Sequence, residues 1–494
     1  MNSSLKVLFL AAEADPLVKV GGLGDVAGSL PRAMRELAGE PAVDVRLVLP
    51  YHGVIRRQSY PVKSLGTFSI PFHVGWTRAE AWELDLDGLP VYLIGGELAP
   101  VDAPVYSQDT AADGLKFTFF SLAALELARR LEWQPQVVHA NDWHTAPAVY
   151  ALGLRRKLDA FYRRTVTLVG LHNLPYLGVG TGSALAAFGL PPAKDSALPW
   201  WAQDMPLPLA LLNADAIVAV SPTYAQEILT EEFGSGLQDF LQTRRQVITG
   251  ILNGLDVQRW NPESDEALVE RYTAANLDQR QVNKAALQAE FNLPQEAEAG
   301  LMVMVTRLDH QKGVDLVPEA LRQLSSQKKA RGAPWQMIIL GSGNPELEQA
   351  VRQLEVDFPE QVRTVLRFDA ALSHRLYGGA DMLLIPSRYE PCGLTQMIAM
   401  RYGCVPVARA TGGLRDTIGD DQQTRASTGF LFEKADSGEL AQAIGRALRL
   451  FKNAAAWRGM QERGMQQDFS WARFAQQYRD LYEELVITGG SADG

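Results

Sequence analysis

Two cations and one carboxylate in the second half of the chain stand where a phosphate-bearing ligand would need them. Arg307 and Lys312 lie in Thr306-Arg307-Leu-Asp-His-Gln-Lys312-Gly313, directly after the apolar run LMVMV. Two cations at a strand-to-helix junction can clamp two phosphates, with the helix N-terminus helping. Glu390 lies in Pro386-Ser-Arg-Tyr-Glu390-Pro-Cys392-Gly393-Leu394-Thr395-Gln396, after MLLI. A carboxylate just past a strand end can hold sugar hydroxyls, and the Gly-Leu-Thr behind it marks a helix start whose N–H groups suit a phosphate. Gly341-Ser-Gly343 and Thr411-Gly412-Gly413-Leu414 again put glycines after a strand. Cys392 has no base partner evident from spacing, so a packed or sugar-contacting thiol fits it better than a nucleophile.

The first half carries a second set. In LVKVGGLGDVAG, Leu17 to Gly28, the stretch Gly22-Leu23-Gly24-Asp25-Val26-Ala27 fits the dinucleotide pattern G-x-G-x-x-G/A. That pattern wants its first glycine at the end of a strand and an acidic residue after the next one. Here the strand ends near Ala12, well before Gly22, and Pro50-Tyr51-His52 follows the second strand. Both tests fail. Gly21 and Gly22 instead expose backbone N–H donors, a helix is expected over Asp25–Leu37, and Lys19 adds a point charge. That is phosphate-binding chemistry in a longer loop.

His139-Ala-Asn-Asp142-Trp143-His144 follows the strand QVV, and His172-Asn173 follows TVTLVG. A zinc set of His139, Asp142 and His144 fits poorly, because neighbours on extended chain point in different directions. Trp143 suits stacking on a sugar or a base. His172 ends the strand next after the one carrying Asp142, so the two can lie side by side.

Apolar runs that alternate with amphipathic segments must position these residues. Candidate strands are Val7–Ala12, Val45–Leu49, Val91–Ile94, Gln136–Ala140, Thr165–Leu171 and Ala216–Val220, then Leu301–Thr306, Gln336–Leu340, Val362–Phe368, Met382–Pro386 and Val405–Ala408. Several are continuous rather than alternating, as strands covered on both faces are, and β-then-α repetition implies parallel sheets. Eleven strands exceed the usual open sheet of at most about ten. The expected class is therefore α/β, with two doubly wound domains facing across a deep cleft and ligands at the carboxyl ends of their strands. The divide falls at Leu252–Pro262, giving domains 1–252 and 253–468, then a C-terminal helix and tail, 469–494. The aromatics Trp471, Phe474, Tyr478 and Tyr482 give that helix an apolar stripe for structural docking.

The chain has 494 residues, 47% hydrophobic and 21% charged, with net charge −10. An acidic balance argues against nucleic-acid or anionic-membrane partners, which call for a basic face. Two cysteines, Cys392 and Cys404, make no disulfide framework and point to a reducing, cytoplasmic setting. The apolar N-terminal run stops at Glu13 and Asp15, so it reads as a buried strand rather than a signal peptide. No apolar stretch is long enough to span a membrane.

Taken together, these segments resemble the bacterial glycogen synthase and plant starch synthase family, retaining glucosyltransferases of the two-Rossmann (GT-B) fold, glycosyltransferase family 5. The resemblance rests on Lys19–Leu23, Asp142–His144, Leu171–Asn173, Ser221–Tyr224, Leu252–Asp256, Arg307–Gly313, Glu390–Gln396 and Thr411–Leu414, in the family's order, and runs from residue 5 to about 480. It implies transfer of glucose from ADP-glucose to the non-reducing end of an α-1,4-glucan, with no metal and no other cofactor. Asp142, His172, Glu390, Arg307 and Lys312 would then be catalytic. Lys19, Gly21, Gly22, Asn173, Asn253, Cys392, Gly393, Leu394 and Thr395 would bind donor or glucose, with Glu13, Asp25 and Trp143 on the acceptor side. UDP-glucose or another acceptor, or a non-catalytic glucan-binding relative, are the alternatives. Departures are Val20 in place of a threonine, the loop Trp200-Trp-Ala-Gln-Asp-Met-Pro-Leu-Pro-Leu-Ala, and Ile398 where related GT-B transferases carry a second Glu. Oligomeric state is not legible.

Overall fold

The computed structural model describes residues 4–58, 60–100, 102–195, 197–326, 334–420 and 426–491. It divides into two compact units, one of Met1–Gly254 with Trp471–Gly494 and the other of Leu255–Ser470.

The first unit is built on nine strands: β1 (Leu5–Leu10), β2 (Val43–Pro50), β3 (Lys63–Phe72), β4 (Gly75–Leu86), β5 (Leu89–Gly96), β6 (Val137–Asn141), β7 (Val166–Leu171), β8 (Ala216–Ala219) and β9 (Ile248–Gly250). Their order is β3-β4-β5-β2-β1-β6-β7-β8-β9. The strands from β5 to β9 run parallel, and β4 pairs antiparallel with both β3 and β5. β1 reads LKVLFL and is buried along nearly its whole length, because helices cover both faces of a parallel sheet. Strand order reverses between β1 and β6, which puts the loops after these two strands at a topological switch point, where open α/β sheets bind ligands.

The last helix, Trp471–Ser491, belongs to this unit. Trp471, Phe474, Tyr478 and Tyr482 join Phe9, Val45 and Leu168 in one apolar core. Each buried aromatic of this kind contributes about 1.5–3 kcal/mol. His139 donates to or accepts from the Tyr482 hydroxyl at 2.6 Å, so this imidazole ties the sheet to the helix.

The second unit carries β10 (Gly300–Val305), β11 (Trp335–Leu340), β12 (Val362–Val365), β13 (Met382–Ile385), β14 (Val405–Arg409) and β15 (Phe430–Phe432), all parallel, in the order β12-β11-β10-β13-β14-β15. Its switch point lies between β10 and β13. The loops after these strands are Thr306–Gly313 and Pro386–Leu394.

The hairpin β3–β4 and the short strands β9 and β15 were not among the expected strands. β3 and β4 alternate buried and exposed residues, unlike the continuous apolar runs that marked the others. The helix expected over Asp25–Leu37 spans Gly22–Glu36 instead. It starts one turn earlier because Glu13 satisfies the N–H groups just before it, those of Val20 and Gly21.

Candidate active site

At the first switch point, the chain leaving β1 runs into Glu13, and the chain leaving β6 runs into Asp142. Glu13 is buried and accepts from the backbone N–H of Val20 and, at 3.0 Å, of Gly21. Burial pushes its carboxyl pKa up, opposed by those two bonds and one from the Tyr106 hydroxyl. Of the two glycine N–H donors expected to meet an anion, that of Gly21 is therefore already held by the protein's own carboxylate. Lys19 pairs with Asp25 at 2.5 Å and lies 3.6 Å from Asp15.

The glycines of this segment divide by cause. A Cβ on Gly28 would stand 2.1 Å from the Asp15 carbonyl oxygen, so glycine there lets the preceding loop cross the helix. A Cβ on Gly22 would meet nothing within 4 Å, and packing gives no reason for that glycine.

Asp142 is the first residue of the helix Asp142–Arg155 and sits at φ +53, a left-handed conformation that costs a non-glycine residue about 1–3 kcal/mol. The strain turns its carboxylate toward the start of the loop after β7. There it accepts from the N–H of His172 at 2.8 Å and of Asn173 at 3.3 Å. Burial outweighs these bonds and pushes its pKa up to about 7, with the charge of Glu13 adding to the rise. His172 Nε2 faces the Asn141 carbonyl oxygen Oδ1 at 2.9 Å, so Nε2 carries the proton and Nδ1 is left as an acceptor. Burial lowers the His172 pKa to about 4, which keeps the ring neutral.

Trp143 is partly buried, edge-on to Phe117 and 4.3 Å from the ring of His144. Asn173 Oδ1, Asn253 Oδ1 and His144 Nδ1 are buried without a hydrogen-bond partner among the described residues. Buried polar atoms are nearly always paired, so these three are suited to a polar ligand group. The zinc set does not assemble: His139 is turned to Tyr482, and no group of three or more potential ligands occurs among the described residues.

At the second switch point, Lys312 Nζ stands 2.9 and 2.7 Å from the two carboxylate oxygens of Glu390. Ser387 donates to one of those oxygens at 2.9 Å. Gly313, at φ +64, lets the turn after Lys312 pass against the Pro386 carbonyl, which a Cβ would meet at 2.0 Å. That close approach joins the two loops. Arg388 locks them further by a two-pronged contact with Asp315 at 2.7 Å on each oxygen. Arg307 is largely exposed, 3.2 Å from Asp309.

Gly393, at φ +71, and Leu394 lead into the short helix Thr395–Arg401. Gln396 donates to the carbonyls of Cys392 at 3.1 Å and Gly393 at 2.9 Å, fixing that turn. Cys392 is buried, as expected for a packed thiol.

Residues 6–243 match the family described as starch synthase catalytic domain, and residues 288–459 match glycosyl transferases group 1. A glycogen synthase of Anaeromyxobacter sp. (strain Fw109-5) is 39% identical over 98% of this chain and 100% of its own length. One from Geobacillus stearothermophilus is 36% identical, covering 98% of each chain. The chain belongs to the glycogen/starch synthase family. The catalytic domain of starch synthase IV from Arabidopsis thaliana, bound to ADP and acarbose, superposes with a TM-score of 0.85 at 32% identity, over 98% of this chain and 100% of that one. The fold is GT-B, with two doubly wound Rossmann-like domains, and the chain is a glycosyltransferase of the glycogen/starch synthase type. Among the described residues no helix is long and apolar enough to cross a membrane.

Sequence reasoning on this synthase-family chain missed Tyr106, Asn141, Ser387 and Arg388 as parts of the site. Ser387 and Arg388 sit inside the Glu390 segment, and their partners become visible only when β10 and β13 are neighbours. Tyr106 lies on a loop with no strand-end signature, yet its ring packs 4.8 Å from His144 and its hydroxyl reaches Glu13.

Proposed function

We propose that the protein transfers glucose from ADP-glucose to the non-reducing end of an α-1,4-glucan, with retention of configuration. The observation that carries this reading is the pairing of a buried carboxylate cluster with cations at two switch points, in a chain of this family. Lys312 and Arg307 are assigned to the departing diphosphate, whose growing charge they offset. Glu390 holds Lys312 in place and faces the glucose hydroxyls.

Asp142, His172 and Asn173 surround the transferred glucose. The neutral imidazole of His172 accepts a hydroxyl proton at Nδ1, and Asn173 Oδ1 gains the donor it lacks. Lys19, Gly21 and Gly22 approach the donor phosphates, and Asn253, Cys392, Gly393, Leu394 and Thr395 line donor and glucose. Glu13, Asp25 and Trp143 face the acceptor glucan. On this reading the charge on the leaving group is met by side chains, no metal is required, and the protein works in the cytoplasm.

The neighbour bound to ADP and acarbose supports both the adenine nucleotide and the glucan. A donor panel with glycogen as acceptor tests the reading. ADP-glucose should be used far better than UDP-glucose, with no loss in a chelator. Preference for UDP-glucose would overturn the donor assignment, and activity abolished by chelation and restored by a divalent ion would overturn the metal-free one.

A further inference from the structure

A buried ion pair in the first unit has no place in the reading above. Lys116 and Asp113 lie one turn apart on the helix Thr110–Arg130, are 4% and 6% exposed, and meet at 2.7 Å. Taking two charges out of water is costly, and an apolar pair of similar volume is often as stable or more so. Stability alone is therefore a poor reason for this pair.

What the pair holds is a loop. The Lys116 ammonium has three protons to donate. One goes to Asp113, and the others go to the backbone carbonyls of Pro104 at 3.0 Å and Val105 at 2.9 Å. The second Asp113 oxygen accepts from the Ser107 N–H at 2.8 Å. The loop is thus gripped by its carbonyls before Tyr106 and by an N–H after it. Among the described residues, no backbone-to-backbone hydrogen bond involves Pro104–Ser107. The ion pair stands in for the ladder that a strand would have. A buried polar network whose members are all satisfied rigidifies one arrangement.

Tyr106 is the residue so held. Its hydroxyl donates to Glu13, and its ring lies 4.8 Å from that of His144 and 6.2 Å from that of Phe117. Lys116 Nζ itself stands 4.5 Å from the centre of the Phe117 ring, which is edge-on to Trp143. One helical turn therefore supports Glu13 through Tyr106 and Trp143 through Phe117. These are two of the three residues assigned above to the acceptor glucan. Burial, with the charge of Lys116 adding to it, lowers the His144 pKa to about 3, so the ring beside Tyr106 stays neutral.

We propose that Lys116 and Asp113 are positioning residues for the acceptor side of the transfer site, locking the loop Pro104–Ser107 so that Tyr106 holds Glu13 in place. The acceptor side as the beneficiary rests on the transfer reading above.

The test compares the full wild-type chain with Asp113→Leu/Lys116→Met, which removes both charges together, and with Tyr106→Phe, which removes only the hydroxyl. Amide exchange over Tyr106–Asp109 is followed by mass spectrometry, and KM is measured for maltotetraose and for ADP-glucose. In the double variant, exchange of the Ser107 amide should quicken about 10-fold or more, since its bond to a buried charge is gone. KM for maltotetraose should rise about 3- to 10-fold, with kcat and KM for ADP-glucose unchanged. Tyr106→Phe should raise the maltotetraose KM to a similar degree while the loop stays protected.

A loosened loop with an unchanged maltotetraose KM overturns the proposal. So does a loop that stays protected in the double variant, or an equal rise in both KM values. Should the double variant fail to fold, Asp113→Asn/Lys116→Gln loses both charges, keeps polar groups in place and is read the same way. Should the wild-type chain transfer from no donor, the transfer reading fails by itself. Maltotetraose binding by calorimetry then decides: weaker binding in the double variant supports the positioning role, and unchanged binding overturns it.

Discussion

Lys312 binds both oxygens of Glu390, at 2.9 and 2.7 Å, across the switch point of the second sheet. The two residues come from loops separated in sequence by three strands and three helices, and each is the other's main electrostatic partner. Lys312→Ala should lower the transfer rate about 10²–10³-fold, the usual loss for one charge-stabilising donor. It should also destabilise the fold by about 2–3 kcal/mol, because it leaves a largely buried carboxylate with its partner gone. Adding Glu390→Gln should return much of that stability and none of the rate. Denaturant melts and initial rates on the four members of this cycle check both statements; additive stability losses would show that the pair is not coupled.

Lys19 and Glu13 should separate activity from stability. The Lys19–Asp25 pair is exposed enough that Lys19→Ala should cost less than about 1 kcal/mol. Its effect should fall on KM for the nucleotide sugar. Glu13→Ala removes the acceptor for two backbone N–H groups at a helix start and should cost about 1–2 kcal/mol. Thermal melts and donor KM values measured side by side would reverse this assignment if Lys19→Ala proved the less stable variant.

Gly28→Ala and Gly22→Ala make a matched pair. The first puts a methyl 2.1 Å from a backbone oxygen and should destabilise by several kcal/mol or prevent folding. The second places a methyl in open space and should leave the melting temperature nearly unchanged while lowering affinity for the donor. A marked fall in stability for Gly22→Ala would mean that this glycine serves the fold.

Much of this was legible in the sequence, because a buried parallel strand writes itself as an unbroken apolar run. Reading β1, β6, β10 and β13 that way placed Glu13, Asp142, Arg307, Lys312 and Glu390 just past strand ends. What the sequence did not disclose depends on which strands are neighbours. Nothing in the order of residues says that Glu13 closes over Val20 and Gly21, or that Ser387 and Lys312 meet on one carboxylate. The hairpin β3–β4 escaped because its alternating pattern has a solvent face, and β4 then turns into β5 through Asp87 and Gly88, both at positive φ. Tyr106 lacked any local signal.

Asp142 offers the sharpest pH test. Its pKa is about 7 in the folded chain, raised by burial from an ordinary value of 3.8. Below pH 4 it is protonated in both folded and unfolded chains and contributes no pH dependence. Between pH 4 and 7 the unfolded chain releases its proton while the folded chain keeps it, so stability falls as pH rises through this window. Above about 7 both forms are charged, and the loss is complete. Asp142→Asn keeps an oxygen to accept from His172 and Asn173 and buries no charge. It should therefore match the wild type in stability near pH 4, exceed it progressively up to pH 7, and hold a constant advantage beyond, while losing transfer activity throughout. Melting temperatures of the two proteins across pH 4 to 9 decide the matter; parallel curves would show that Asp142 is ionised in the folded chain over the whole range.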